Sequence, residues 1–207
     1  MALAFLALAL AVPGFPALAL PAPENAAGQK KGLDDGRLDP AWFGPAVEFR
    51  TTAVIDYVWV KPGFSVRGKK LRVEKWPDPV FLGPERKGRD AAKAFELVGS
   101  MPLRIRGALR QSLGGYAEMV TEGGDLILSG RLVDYVGKGT MRAHHPQATW
   151  DIKITDAASG ELLAAIHHRT LMSISTTEER IDLWLARFGD ALKEDLAIAA
   201  SGEPASS

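Results

Sequence analysis

The stretch TWDIKITDAASGELLAAIHH, residues 149–168, carries the reading that decides the fold. Trp150, Ile152 and Ile154 alternate with Thr149, Asp151, Lys153 and Thr155, the period-two pattern of a strand with one buried face. Ala157-Ala158-Ser159-Gly160 is turn chemistry, and a second apolar run follows from Glu161. If Thr155 faces Glu161, then Trp150 opposes Ile166, Ile152 opposes Ala164 and Ile154 opposes Leu162. All six then share one face, and a slip of one residue would turn the whole set to water. The expectation is an antiparallel hairpin with an apolar inner face and a wet outer one holding Thr149, Asp151, Lys153 and Thr155.

The pattern extends in both directions. Residues 125–136 form a further strand-like run, joined through Gly137-Lys138-Gly139 to a run over 140–155, and the last run covers 161–174. Downstream, Ser175 with Glu178, or Thr176 with Glu179, offers a capping box. Ile181, Trp184, Leu185, Phe188, Leu192 and Leu196 then recur at three- and four-residue steps, which predicts an amphipathic helix over 178–199. Upstream, residues 54–60 are apolar and β-branched on both faces and read as a strand covered on both sides. Lys61-Pro62-Gly63 ends it. Residues 70–76 read as a second strand, with Leu71 and Val73 facing away from Arg72 and Glu74.

Residues 88–113 are helical in period through Ala91, Ala94, Phe95, Val98, Leu103, Ile105, Leu109 and Leu113. Gly99-Ser100-Met101-Pro102 is expected to kink or split that helix, and Gly114-Gly115 to stop it. Together these elements predict a two-layer α+β domain: a mostly antiparallel sheet of about five strands covered by two main helical segments.

The amino-terminal residues say where the protein works. Residues 1–23 carry no charged side chain, and an apolar run over 2–12 is followed by Pro13, Gly14 and Pro16 and then by small residues at Ala17, Ala19 and Ala22. This is the order of a secretory h-region and cleavage zone. The run is too interrupted for a membrane span, which needs about 20 unbroken apolar residues. Met1 is followed at once by Ala2 and Leu3, so either a start further upstream or the free amino terminus supplies the basic charge of an n-region. The expected organisation is a signal peptide over 1–22, cleaved after Ala19 or Ala22, and a flexible tether over 23–41. A single domain over 42–200 and a disordered tail over 201–207 complete it. The mature chain is then periplasmic or secreted, with no transmembrane segment. The 207-residue chain has no cysteine, which excludes disulfides and thiol catalysis and leaves the core alone to hold the fold.

Net charge is zero, but it is unevenly spread. Between residues 61 and 110 there are 13 basic side chains against 5 acidic ones, while acids prevail 7 to 3 over 178–203. A basic surface around Lys61, Arg67, Lys69 and Lys70 would suit an anionic surface; the plainer reading is a solvated face. Trp59, Phe64 and Trp76 lie near these charges, yet aromatic strand residues belong to cores, and export argues against nucleic acid as a partner.

All four histidines occur as pairs, His144-His145 and His167-His168. With the first hairpin centred on Lys138, His144 and His145 would lie opposite Leu132 and Arg131, and the two pairs would approach at one end of the sheet. Imidazoles from adjacent strands can hold zinc or copper. Against this, no His-x-x-x-His or Cys-x-x-Cys spacing is present, and neighbours on a strand point to opposite faces. Asp56 interrupts an apolar strand and would need a basic side chain or a backbone N–H as partner. There is no Gly-x-Ser-x-Gly elbow, and Gly68-Lys69-Lys70 lacks the glycine spacing and the hydroxyl of a phosphate loop. No nucleophile, base and orienting group assemble, so no catalytic residue or cofactor is assigned.

Residues 125–132 (DLILSGRL) and 156–163 (DAASGELL) give an order of apolar strand, Gly-Arg-Leu, glycine turn, strand, Asp-x-x-x-Gly-Glu, strand and helix. In this the chain resembles uncharacterised cell-envelope proteins of Gram-negative bacteria, known as domains of unknown function and often lipoproteins. The resemblance covers residues 54–199. It implies a compact α+β domain with no established catalytic residues and so transfers no site. The chain departs from it in lacking the lipobox cysteine. The function expected is that of an exported, non-enzymatic domain that binds another envelope protein or supports an assembly. The alternative is a metal-binding protein or metal-dependent enzyme built on the histidine pairs.

Overall fold

A computed structural model describes residues 37–52, 55–82, 87–137 and 147–171, together with 185–187, 189, 190, 193 and 196. The described residues belong to one compact unit, Leu33–Ser207. The segments predicted as signal peptide, as tether up to residue 36 and as tail, together with His144 and His145, lie outside them. Among the described residues no helix is long and apolar enough to cross a membrane.

The first element among the described residues is a single helical turn, α1 (Pro40–Phe43), followed by β1 (Tyr57–Val60) and β2 (Lys70–Val73). The long helix α2 (Gly88–Leu113) comes next, then β3 (Glu118–Val120), β4 (Leu126–Val136), β5 (Gln147–Asp156) and β6 (Leu162–Leu171). The six strands form one mixed sheet in the order β1-β6-β5-β4-β2-β3. The pairs β1–β6, β6–β5 and β5–β4 are antiparallel, whereas β2 runs parallel to both β3 and β4. The parallel pairs follow from the connection: α2 returns the chain to the sheet so that β3 can run beside β2 in the same direction.

One face of the sheet meets α2. Leu71, Leu126, Leu128, Leu132, Trp150, Ile152, Ile154 and Ile166 pack there against Ala94, Leu97, Met101, Ile105, Leu109 and Leu113. Leu185 and Leu196, from the helix predicted over 178–199, are also fully buried in this cluster. Gly130 has a specific duty in it. The Trp76 indole lies directly over this strand position and 5.7 Å from the Trp150 ring, where a Cβ would overlap it.

The helix over 88–113 falls within the predicted bounds, but its continuity and its phase differ from expectation. Pro102 neither splits it nor ends it. Proline costs the helix the bond to the Val98 carbonyl, and the core beneath, from Met101 to Ile105, holds the backbone helical regardless. Phe95 and Leu103, placed on the apolar stripe by period, are instead 49% and 66% exposed. The buried stripe runs through Ala94, Leu97, Val98, Met101 and Ile105.

Register is corrected by two residues. Ile152 opposes Ile166, Ile154 opposes Ala164 and Trp150 opposes His168, with an irregularity between Ile154 and Thr155. A two-residue slip preserves the face of each side chain up to that irregularity, so Trp150, Ile152, Ile154, Ala164 and Ile166 lie inside as predicted, whereas Leu162 pairs with Thr155 and Leu163 joins the core in its place. On the other hairpin, Asp151 and Trp150 occupy the places opposite Arg131 and Leu132, so His145 and His144 do not. The last described pair, Val136 with Gln147, is not centred on Lys138. β1 is the sheet's edge strand, met on its outer side by an isolated bridge from Arg50 to Val58, and its adjacent residues Tyr57 and Val58, which point to opposite faces, are both buried.

Candidate polar centre beneath an amino-terminal strap

The second face of the sheet is not wet. Arg131, Asp151 and His167 stand side by side on β4, β5 and β6, since Arg131 pairs with Asp151 and Asp151 with His167 across the ladders. Period two turns all three to the face opposite Trp150. Their exposures are 6%, 0% and 2%. Arg131 Nε donates to Asp151 Oδ2 at 2.9 Å, and its terminal nitrogen lies 2.8 Å from the same oxygen. His167 Nδ1 donates to the other oxygen, Oδ1, at 2.6 Å. Both carboxylate oxygens are thus engaged, as a buried charge requires.

Residues 37–49 lie over this centre as a strap. Asp39 caps α1, accepting from the Ala41 and Trp42 N–H groups, and its other oxygen accepts from Arg131 at 3.1 Å. Arg37 Nε donates to Asp134 on β4 at 2.6 Å. The Trp42 ring has the Arg131 guanidinium at 4.4 Å and the Lys153 ammonium at 3.9 Å from its centroid, and Lys153 also donates to the Trp42 carbonyl. Edge-to-face contacts then lead from Trp42 to Phe43, Phe49, Tyr57 and the His167 ring. Arg37, Asp39 and the start of α1, within the segment read as tether, are therefore in contact with the sheet.

Charge balance at the edge of the centre follows from these contacts. Burial opposes the charge on Asp39, but the hydrogen bond and positive charge of Arg131 and the two capping N–H groups outweigh it. They hold the carboxyl below its ordinary value. Burial, and then the Arg131 charge, lower the Lys153 ammonium, against the pull of Asp151 and Asp39.

The second histidine belongs elsewhere. His168 opposes Trp150 on the other face, and its Nδ1 lies 3.1 Å from Asp56 Oδ2 and 3.2 Å from the Asp56 backbone nitrogen. Asp56 also accepts from the Arg169 N–H at 2.7 Å. Burial raises the Asp56 carboxyl, yet these hydrogen bonds prevail and leave it lowered. The partner required of Asp56 is thus an imidazole and a backbone N–H, not a lysine or arginine. His167 and His168 serve two separate sites on opposite faces. Among the described residues no cluster of three His, Cys, Asp or Glu side chains is arranged to hold a metal ion.

Of the four basic residues read as one surface, Lys61 stands apart from Arg67, Lys69 and Lys70. Lys61, after β1, pairs with Glu161 at 2.5 Å. Lys70 opens β2, four strands away or roughly 19 Å across the sheet, and sits 4.0 Å from Glu118. Lys69 neighbours it, its carbonyl accepting from Glu118. Arg67 lies over the Tyr116 ring at 4.9 Å. Sequence reasoning missed Arg131, Asp39 and Trp42. The signal available was the cross-strand order basic–acidic–imidazole at positions 131, 151 and 167, all of one parity. Beside the strap, an apolar cleft of about 380 Å³ is lined by Phe43, Pro45, Val47, Trp59 and Leu162.

No known family model matches the chain, and no curated protein sequence does. Solved structures that it is similar to include a PelC dodecamer from Paraburkholderia phytofirmans, at 15% identity over 64% of this chain and 96% of that one, with a TM-score of 0.44. Protein XCC0632 from Xanthomonas campestris, a DUF330 protein, is 11% identical over 64% and 86%, with a TM-score of 0.40. A putative lipoprotein from Caulobacter crescentus CB15 is 12% identical over 64% and 92%, with a TM-score of 0.32. The structures similar to this chain thus include proteins of uncharacterised families.

Proposed function

We propose that this chain is an exported envelope protein that acts as a binding or assembly domain and not as an enzyme. The observation that carries the reading is the state of the Arg131–Asp151–His167 centre. Acid, base and cation converge there, but each carboxylate oxygen is already occupied and the strap lies over the group. A general base must reach the proton it removes, and His167 at 2% exposure faces Asp151 and Tyr57 instead. A structural duty explains the geometry: the centre fixes the strap and the order of three strands. Export rests on the apolar leader, which has the order of a secretion signal.

Fractionation of cells producing the chain, followed by intact-mass measurement, tests the reading. A polypeptide beginning after Ala19 or Ala22 and recovered with the envelope or medium is expected. A polypeptide that retains Met1 and stays with cytosolic proteins would overturn it.

A further inference from the structure

We propose that α2 is the surface on which a second copy of this chain docks, antiparallel, about a two-fold axis at Leu103. The outward stripe of α2 runs through Glu96, Gly99, Leu103, Gly107 and Arg110, all exposed. A single exposed leucine is ordinary. This one is 66% exposed and has glycine at both i−4 and i+4. Glycine is the costliest helix-interior residue after proline. Among the described residues nothing lies within 4 Å of a Cβ built at Gly99 or at Gly107, and Gly107 borders a groove that Leu185 and Ala186 also line. Glycines that meet none of the described side chains leave the backbone open to close approach by a partner.

The stripe is symmetric about Leu103. Its steps are three and four residues towards the amino end, from Glu96 through Gly99, and four and three towards Arg110. In an antiparallel pair centred on Leu103, positions equally distant from it meet. Leu103 then faces the partner's Leu103, Gly99 faces the partner's Gly107, and Glu96 faces the partner's Arg110. The last pairing occurs twice, as an isologous interface demands. Two helices whose facing positions are glycines can approach more closely than the usual 8–10 Å. Glu96 would exchange its exposed intrachain partner, Lys93 at 2.6 Å, for the partner's Arg110. A lipid surface would account for Arg106 and Arg110 but not for Glu96 or the two glycines. The proposal gives the binding-domain reading one specific partner, and the two fail separately, because association in solution does not depend on export.

Charge reversal tests it, with the protein purified as cells accumulate it and its association followed by sedimentation velocity over a concentration series. Wild type should dimerise. Glu96→Arg and Arg110→Glu should each weaken self-association about tenfold or more, and an equimolar mixture of the two variants should regain it, because each mixed interface restores both pairs. Gly107→Ala should raise the melting temperature while weakening the dimer, a combination that a merely structural role would not give. A wild-type monomer at all concentrations would overturn the proposal, as would a dimer indifferent to Glu96→Arg and Leu103→Ser. Salt-sensitive binding to phosphatidylglycerol vesicles, lost in Arg110→Glu without any dimer, would overturn it in favour of a membrane surface.

Discussion

Asp151 and His167 face each other directly across the β5–β6 ladder, with Oδ1 and Nδ1 2.6 Å apart and neither side chain open to water. The same carboxylate holds Arg131 through its other oxygen. Removing the shared acid leaves a buried guanidinium with Asp39 at the strap as its remaining carboxylate partner among the described residues. Asp151→Ala should therefore lower unfolding stability by about 3–5 kcal/mol, measured in urea. Replacing all three by apolar side chains of similar volume should be far less damaging, and a larger loss in the triple variant than in the single one would contradict this account.

The strap is fastened in part by Asp39, whose carboxyl is held below its ordinary value by Arg131 and the α1 N–H groups against the effect of burial. A folded-state pKa below the unfolded one contributes stability above the unfolded pKa and loses it as pH falls through the folded one. Protection of the Ala41 and Trp42 amides from hydrogen exchange should thus fall on acidification through the carboxylate range. Asp39→Asn should flatten that dependence. Unchanged pH dependence in Asp39→Asn would exclude the latch.

Gly130 lies under the Trp76 indole, where a Cβ would overlap the ring. Overpacking of this kind costs about 1–3 kcal/mol, so Gly130→Ala should be destabilised by that amount in denaturant titration. In a Trp76→Phe background the loss should shrink, since the two sites share one contact.

Pro102 interrupts the hydrogen-bond ladder of α2 without ending the helix. Pro102→Ala restores an N–H for the Val98 carbonyl and should raise stability by roughly 1–3 kcal/mol, read as an upward shift in melting temperature. A decrease would mean that the ring packs in a way its backbone cost conceals.

Local pattern made much of this fold legible. The helix over 88–113 and the strand runs at 125–136 and 149–168 were signalled by apolar period, and the inner face of the meander by alternation. The three-residue β3 gave no comparable signal, because Glu118–Val120 is too short to show a period. Phase within α2 misled for a related reason. Phe95 and Leu103 fit a helical period as well as Leu97 and Met101 do, and only tertiary packing chooses between the stripes. The polar centre was the least legible part. Alternation tells which residues share a face but not whether that face is covered. The cover for Arg131, Asp151 and His167 comes from Asp39 and Trp42, about ninety residues and more away in sequence, the first inside a segment whose composition reads as a linker and the second at its border.

Chemical labelling of His167 is the most direct test of the claim that the polar centre is a closed structural element. With diethylpyrocarbonate under native conditions, mapped by peptide mass, His167 should remain unmodified while the protein is folded and react fully once it is denatured. Modification of His167 in the folded protein at the rate seen after denaturation would show the centre open to small molecules, and the binding-domain reading would lose its main support.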